Sequence, residues 1–305
     1  MSAIIGELPR REAMASVNWR RRLAHRGIDG VTLLVLPATI SIAALFIYPS
    51  IYGIVLAFSP RVGGFLANYE RFFSDPYYSQ TIAITLEMGL PATLINMAAA
   101  VPLAFHLSSM RRQRVLTAIL VLPVTLGTVL VAQGLLGYLG PQGWFNRVLV
   151  SLHLISEPIR LIHNYWGVMI SLIITGFPFV FLLMLSYVTG IDPALPKAAA
   201  TLGASAWARF RHIHLPLLAS GFAMCFCLAF VQAFTVFPSA VLLGQPAGTT
   251  RVISIVAYHA AYEEYDYSMA SAVALIMGTV QLVVISLVLG VREFVYRGPL
   301  GSGKG

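Results

Sequence analysis

The sequence predicts an all-α polytopic membrane protein with six transmembrane helices, and three observations support this prediction. Of its 305 residues, 58% are hydrophobic and only 10% are charged, whereas soluble domains carry about 25% charged residues. The apolar residues form several runs of about 20 or more, each long enough to cross the hydrocarbon core as a helix. Basic residues collect in alternate loops between these runs. Such a chain is not a secreted domain, a fibrous repeat or a disordered protein.

The hydropathy pattern places the six spans at roughly 32–58, 81–107, 115–138, 164–190, 217–243 and 268–291. The first span follows a basic segment, 1–30, and is longer than the apolar core of a cleavable signal peptide. We therefore expect it to remain as an anchor. The spans make up a transmembrane domain, 31–295, followed by a flexible tail, 296–305.

The basic residues determine the expected orientation, because cytoplasmic loops of membrane proteins are enriched in Lys and Arg. Fifteen of the 20 basic residues lie in the N-terminal segment, the 2–3 loop, the 4–5 loop and the tail. We therefore expect both termini in the cytoplasm. This asymmetry accounts for the net charge of +8, so we expect no nucleic-acid partner.

The 4–5 loop, 191–216, is longer than a connection between neighbouring helices requires. Pro196 can start a short helix, and Ala198–Ala200 has high helix propensity. Gly203 then permits a turn or a close backbone approach. A second short helix is expected over about 205–212.

We expect this second helix to end at Pro216, which leads into the fifth span. Its exposed residues would be Trp207, Phe210 and Arg211. The small residues of the first helix give it a thin side-chain layer, which suits the groove of another protein. A well-folded cytoplasmic loop without a partner would have the same composition.

The same loop resembles the EAA motif of the membrane subunits of ABC importers, in which Glu-Ala-Ala, three residues and Gly precede Ile-x-Leu-Pro. The residues that match at this spacing are Ala198, Ala199, Gly203, Ile213, Leu215 and Pro216. Over about 30–295 the chain is most similar to spermidine/putrescine-type permeases. One departure is clear: Lys197 occupies the position of the glutamate, and Thr201 that of a common aspartate.

The resemblance implies the type I permease fold and a membrane-spanning subunit of an ATP-driven importer, in a bacterial cytoplasmic (inner) membrane. Such a subunit is not an enzyme and holds no cofactor, because ATP and magnesium bind to a partner ATPase. The implied partners are two ATP-binding subunits, a second permease, an external binding protein and the lipid bilayer. Because Lys197 replaces the glutamate of the motif, we expect the second permease to be non-identical and to retain that glutamate, with a homodimer as the alternative. The resemblance assigns ATPase coupling to Lys197, Ala198, Ala199, Ala200, Leu202, Gly203, Ala204, Ser205, Phe210, Ile213, Leu215 and Pro216.

Three other patterns do not indicate a functional site. The last eight residues fit the spacing of a phosphate-binding loop, but Gly305 replaces the required Ser or Thr and no helix follows. Cys225 and Cys227 are two apart on one predicted helix and point away from each other, so we expect them to be core residues. The seven histidines are scattered, and we expect no metal site.

Polar side chains inside spans are costly and therefore mark a possible translocation path. The candidates are Glu87, Asn96, Gln133, Gln232, Thr235 and Gln281. Glu87 is the only carboxylate that we place within a span. We expect it to contact a cationic group of the substrate or to line a gate; the alternative is that it is simply hydrated near the outer interface. The amides can equally form hydrogen bonds between helices.

The expected substrate is a small organic solute such as a polyamine, which Glu87 and the acidic residues at 263–266 would attract. Sugar, ferric iron, thiamine and phosphonate are alternatives within the same family. An ion-coupled secondary transporter is the alternative class, but it predicts buried carboxylates and inverted repeats. The sequence has one marginal carboxylate in a span and no evident repeat.

Overall fold

The computed structural model describes residues 30–110 and 113–295, and every regular element in these ranges is helical. Segment 1–29, Arg111, Arg112 and the tail 296–305 lie outside the described residues, so the predictions made for the two termini are not addressed by it. The helices are α1 (Gly30–Ala57), α2 (Ala67–Ser74), α3 (Pro76–Ser108), α4 (Gln113–Leu139), α5 (Trp144–Ser151), α6 (Tyr165–Thr189), α7 (Ala194–Thr201), α8 (Ala206–Arg209), α9 (Leu215–Phe234), α10 (Pro238–Leu243), α11 (Ile253–Tyr258) and α12 (Tyr267–Val295).

Six of the described helical segments are long and apolar enough to cross a membrane, which confirms the predicted number of spans. They are α1, α3, α6, α12, the segment Gln113–Ser151, which contains α4 and α5, and the continuous segment Ala206–Phe234, which contains α8 and α9. The chain divides into two compact units, with α1 as far as Leu56 in the first and the residues from Ala57 onward in the second. Within the second unit α3 packs along α6 and α9.

The fifth span differs from its predicted form at both ends. Phe210–His214 forms a π-helical turn that joins α8 to α9, so the expectation that Pro216 ends the preceding helix is wrong. The π-helical turn is wider than an α-helical turn and accommodates Pro216, which has no N–H to donate to the preceding turn. The helix then ends at Phe234 instead of running to 243, because Pro238 has no N–H to donate to the Phe234 carbonyl and its ring would clash with that carbonyl in a continuous helix.

The core of the second unit is built where α3, α6 and α9 meet. Ala100 and Ala104 of α3 are completely buried and let Phe181 of α6 approach closely. Cys225 of α9 lies in the same cluster, and both cysteines are buried free thiols, as predicted. Small residues on α3 therefore determine how closely the three membrane-spanning helices pack.

The acidic residues before the last span are held by arginines of the first loop and α2. Asp266 lies 3.7 Å from the Arg61 guanidinium and 3.9 Å from that of Arg71, and Glu264 lies 3.6 Å from Arg71. The Asp266 side chain is only 11% exposed, and its Oδ1 accepts a hydrogen bond from the Met269 amide at 3.1 Å. Two of the acidic residues that we expected to attract a polyamine are therefore paired with arginines of the same unit.

Candidate functional site: a docking loop and a polar cavity

The loop between α6 and α9 is held by local caps. The Asp192 carboxylate accepts the Ala194 amide at 2.8 Å, and α7 follows. Gly203 ends that helix with φ +84°, a conformation that a residue with a Cβ rarely adopts. The Ser205 hydroxyl oxygen then accepts the Ala208 amide at 3.2 Å and begins α8. These caps define two short helices at a fixed turn.

The loop exposes apolar side chains. Leu202 is 88% exposed and Trp207 is 67% exposed. No residue of α7 is buried. Of the residues that the sequence assigned to ATPase coupling, those that are exposed are Lys197, Ala198, Ala200, Leu202, Gly203, Ser205 and Leu215. The others, Ala199, Ala204, Phe210, Ile213 and Pro216, are half-buried. We call the exposed residues of Ala194–Trp207 the docking surface.

The base of the loop is anchored to α3 by aromatic rings. The ring of Phe105 meets the ring of Phe210 edge-on, with centroids 5.7 Å apart, and that of His214 at 5.0 Å. Trp207 stacks on Phe210, with centroids 5.7 Å apart. Phe210 therefore acts as the anchor beneath the docking surface, and Trp207 extends that aromatic stack to its exposed side.

A polar cavity of about 230 Å³ lies among α3, α4, α6, α9 and α10. Its polar lining consists of Asn96, Thr128, Thr175, Gln232, Thr235 and Ser239. No charged side chain of the described residues lines it. The cavity therefore offers hydroxyl and amide groups to a solute.

Asn96 is the most constrained polar group of this cavity. It is 3% exposed, and its Nδ2 donates to the Leu172 carbonyl at 3.3 Å. This bond orients the amide so that Oδ1 is left, within the described part of the chain, as a buried acceptor without a hydrogen-bond partner. Such an atom favours a ligand that donates an N–H or O–H.

The cavity brings together three of the six residues predicted for the path, Asn96, Gln232 and Thr235. Glu87, Gln133 and Gln281 do not line it. The Glu87 side chain is exposed, which is consistent with the alternative that it is hydrated near the outer interface. Its helix starts at Pro76 instead of residue 81, and its main-chain carbonyl accepts a 2.9 Å hydrogen bond from the Tyr165 hydroxyl.

Sequence reasoning missed three hydroxyl groups of the lining: Thr128, Thr175 and Ser239. Thr175 donates to the Ser171 carbonyl at 2.8 Å, and the Ser171 and Ser239 hydroxyls lie 2.8 Å apart. Hydroxyls that bond to nearby groups in this way are common in membrane helices, so composition alone does not distinguish them. Across 30–110 and 113–295, no group of three or more His, Cys, Asp or Glu residues gathers as a metal site would require.

Comparison with known proteins relates this architecture to transport systems. Residues 92–298 match the family model described as binding-protein-dependent transport system inner membrane component. A spermidine/putrescine transport system permease protein of Haemophilus influenzae is 31% identical over 59% of this chain and 63% of its own length. The matched part of this chain thus spans less than two thirds of that relative.

Sulfate permeases are also similar. A probable sulfate transport system permease protein of Prototheca wickerhamii is 27% identical, covering 73% of this chain and 86% of the relative. A sulfate transport system permease protein of Synechococcus elongatus is 25% identical, covering 91% of this chain and 92% of the relative.

Solved structures support the fold. A chain of a bacterial alginate ABC transporter, in complex with an alginate pentasaccharide-bound periplasmic protein, superposes with a TM-score of 0.77 at 23% identity, covering 91% of this chain and 99% of that one. A chain of the MetNI methionine ABC transporter gives a TM-score of 0.54 at 15% identity, covering 72% and 94%. At these identities the likeness concerns the fold alone.

Proposed function

The chain belongs to the family of binding-protein-dependent transport system inner membrane components, and from this membership we propose that it is the permease subunit of an ATP-driven importer. In this proposal it supplies half of a translocation pathway in a bacterial cytoplasmic membrane, with both termini in the cytoplasm. A second permease supplies the other half, two ATP-binding subunits attach from the cytoplasm, and an external binding protein delivers the solute. ATP and Mg²⁺ belong to the ATPase subunits.

The observation that supports this role most directly is the docking surface on its anchored base. An exposed leucine and tryptophan on a loop with defined caps are unfavourable in water and suit a hydrophobic cleft of a partner protein. Leu202 lies at the turn between α7 and α8, and Trp207 lies on the stack above Phe210. We assign the docking surface to contact with an ATPase subunit.

Continuity of the fifth span would connect this contact to the cavity. The helical path from Ala206 to Phe234 is unbroken, so Trp207 and Gln232 lie on one rod of about 40 Å at 1.5 Å per residue. Gln232 lines the cavity at the far end of this rod. Movement of the docking surface toward a second copy of the ATPase would therefore tilt a wall of the cavity, as a switch between inward and outward access requires.

Lys197 distinguishes this chain from the usual motif. Its side chain is exposed on α7, where the family has a glutamate, so the local charge is reversed. A homodimer would present two such lysines to two identical ATPases. We therefore propose a non-identical second permease that retains the acidic residue.

Co-purification tests the docking assignment. The tagged chain is expressed with the subunits encoded beside it, and the variants Leu202→Arg and Gly203→Arg are compared with wild type. We expect both variants to lose the ATPase and to keep the second permease. Val62→Arg is the matched control, because Val62 is 86% exposed in a loop that the proposed topology places outside, and it should behave as wild type. Retention of the ATPase by Leu202→Arg, whose backbone needs no unusual φ, would contradict the proposal.

For the substrate, we propose a small organic solute with hydrogen-bond donors, a polyamine first. The polyamine permease among the relatives and the unpaired Asn96 Oδ1 support this choice. Sulfate is the second candidate, favoured by the sulfate permeases among the relatives and by a cavity lining without carboxylates. A solute rich in hydroxyls, such as a sugar, fits the same lining, and ferric iron, thiamine and phosphonate remain alternatives.

Uptake by the reconstituted importer separates these candidates. Radiolabelled putrescine and sulfate are each offered with the cognate binding protein. For putrescine, Asn96→Leu should weaken transport by about tenfold, because the buried acceptor Oδ1 of the cavity is lost, while Gln133→Leu, at an exposed amide outside the cavity, should not. Uptake of sulfate and not of putrescine by the wild type would replace the polyamine assignment.

A further inference from the structure

An apolar groove of about 470 Å³ lies between the start of α9 and the end of α12. Ala219 and Phe222 line one wall, and Val288 and Val291 line the other. Ala219 and Phe222 are three positions apart, so they share one face of α9. This groove is separate from the polar cavity, which involves neither α12 nor the first turns of α9.

Two arginines border the groove at the end that the basic residues place in the cytoplasm. Arg211 comes from the π-helical turn before α9, and Arg292 lies in the last turn of α12. Both side chains are exposed. Among the described residues, no carboxylate lies within 4 Å of either guanidinium. The groove thus combines an apolar channel with two cations that have no ion-pair partner in the described chain.

We propose that this groove binds an anionic phospholipid of the cytoplasmic leaflet, with phosphatidylglycerol as the representative headgroup. One acyl chain lies between α9 and α12 against Phe222 and Val288, and the phosphate lies between Arg211 and Arg292. Guanidinium groups bind phosphate oxygens through paired, charge-assisted hydrogen bonds. Basic pockets between transmembrane helices on the cytoplasmic side have the chemistry that selects anionic lipids.

Position and charge favour a lipid over other occupants. The groove walls belong to segments that span the membrane, where acyl chains are the surrounding solvent. A free phosphate would satisfy the arginines but leave the apolar walls uncovered. An apolar helix of another subunit would cover the walls but leave two guanidinium groups without an anion at the membrane edge.

The position of Arg211 gives this site a consequence for the importer, and this step rests on the proposed function. Arg211 directly follows α8 and the docking surface, whereas Arg292 belongs to the last span. A shared phosphate would tie the base of the docking loop to the end of α12. ATP hydrolysis by the assembled importer should therefore be higher in phosphatidylcholine vesicles that contain phosphatidylglycerol than in phosphatidylcholine alone.

Lipid binding itself is tested without any transport assay. The full-length chain, purified in detergent with the subunits that accompany it, is titrated with dioleoylphosphatidylglycerol or dioleoylphosphatidylcholine and observed by native mass spectrometry. We expect phosphatidylglycerol to bind in preference, and the double variant Arg211→Gln/Arg292→Gln to bind it about 30-fold more weakly, from the usual contribution of two basic residues at an anionic headgroup. Arg114→Gln, an exposed arginine on the same predicted side of the membrane but outside the groove, should bind as wild type.

Two further variants separate the roles of charge and shape. Arg211→Lys/Arg292→Lys keeps both charges and should retain most of the binding. Ala219→Phe fills the groove without changing its charge and should lose the lipid. Equal binding of the two lipids by wild type, or unchanged binding in both the Gln double variant and Ala219→Phe, would overturn the proposal. If phosphatidylglycerol binds but does not stimulate ATP hydrolysis, the proposed effect of the lipid on the importer is wrong, whereas the lipid site itself is not contradicted.

Discussion

The Asn68 side-chain amide donates to the Ser268 hydroxyl at 2.7 Å across 200 residues of sequence, and it also donates to the Ala57 carbonyl at 3.2 Å. Asn68 is 6% exposed. The Ser268 hydroxyl in turn donates to the Ser59 carbonyl at 2.7 Å. One amide and one hydroxyl therefore join Ala57 and Ser59 to the start of α12.

Asn68→Leu should destabilise the protein, because it leaves the Ala57 carbonyl without the amide donor and removes the bond to Ser268. The expected cost is about 1–3 kcal/mol, the usual penalty for leaving a buried polar group unsatisfied. Thermal unfolding in detergent measures it. Tyr69→Phe is the control at the adjacent position: the Tyr69 hydroxyl is buried without a hydrogen-bond partner in the described residues, so its loss should be neutral or slightly stabilising. Equal melting temperatures for Asn68→Leu and wild type would contradict the assignment.

Alkaline pH should destabilise the wild type more than Tyr69→Phe. Burial raises the pKa of the Tyr69 phenol above its ordinary value near 10. As pH rises through that value, the unfolded chain ionises first, so the folded state loses stability in the window between the unfolded and folded pKa values. Unfolding temperatures measured from pH 8 upward test this for both proteins. Parallel curves would show that the Tyr69 phenol is not desolvated.

Asp266→Ala should cost more stability than Glu264→Ala. The Asp266 side chain is 11% exposed, lies beside two arginines and accepts the Met269 amide at the start of α12. Loss of such a cap and of a shielded ion pair should cost about 2 kcal/mol. The Glu264 side chain is 43% exposed in its pair with Arg71, and a pair of this kind contributes less than about 1 kcal/mol. Urea titration of both variants in detergent measures the difference, and the reverse order would refute this account.

Gly176→Ala should impair transport by displacing Asn96. A Cβ at position 176 would lie 2.6 Å from Asn96 Nδ2, so the amide would lose its bond to the Leu172 carbonyl and turn within the cavity. Solute uptake by the reconstituted importer should fall while the subunits still assemble. Gly134→Ala provides the control, because nothing lies within 4 Å of the added carbon there. Full activity of Gly176→Ala would separate the cavity from the transport path.

The number of spans and the turn at Gly203 could be predicted because both depend on residues that are close together in the chain. Long apolar runs indicate spans, and a glycine after small helical residues indicates a turn. It did not predict the end of the fifth span, since residues after Phe234 remain apolar although Pro238 interrupts the helix. Periodicity also did not give the exposure of Glu87, because that depends on which faces of α3 the neighbouring helices cover.

For the candidate site, polarity within spans selected Asn96, Gln232 and Thr235, which do share one cavity. The same criterion selected Gln133 and Gln281, which do not. The difference depends on the rotation of each helix about its axis, and that is fixed by packing between helices distant in sequence. The partners of Asp266 were missed for the same reason, because Arg61 and Arg71 belong to the other end of the chain.

Gly127 interrupts α4 with φ +74° and ψ +160°. No heavy atom lies within 4 Å of a Cβ built there, so conformation alone, and not crowding, reserves the position for glycine. The side chains of the two parts of α4 consequently do not follow one continuous helical repeat. Any residue with a Cβ at 127 would favour a single regular helix, and the side chain of Thr128 would then be rotated about the helix axis relative to Pro123. The register of the cavity wall thus depends on the backbone conformation of one glycine.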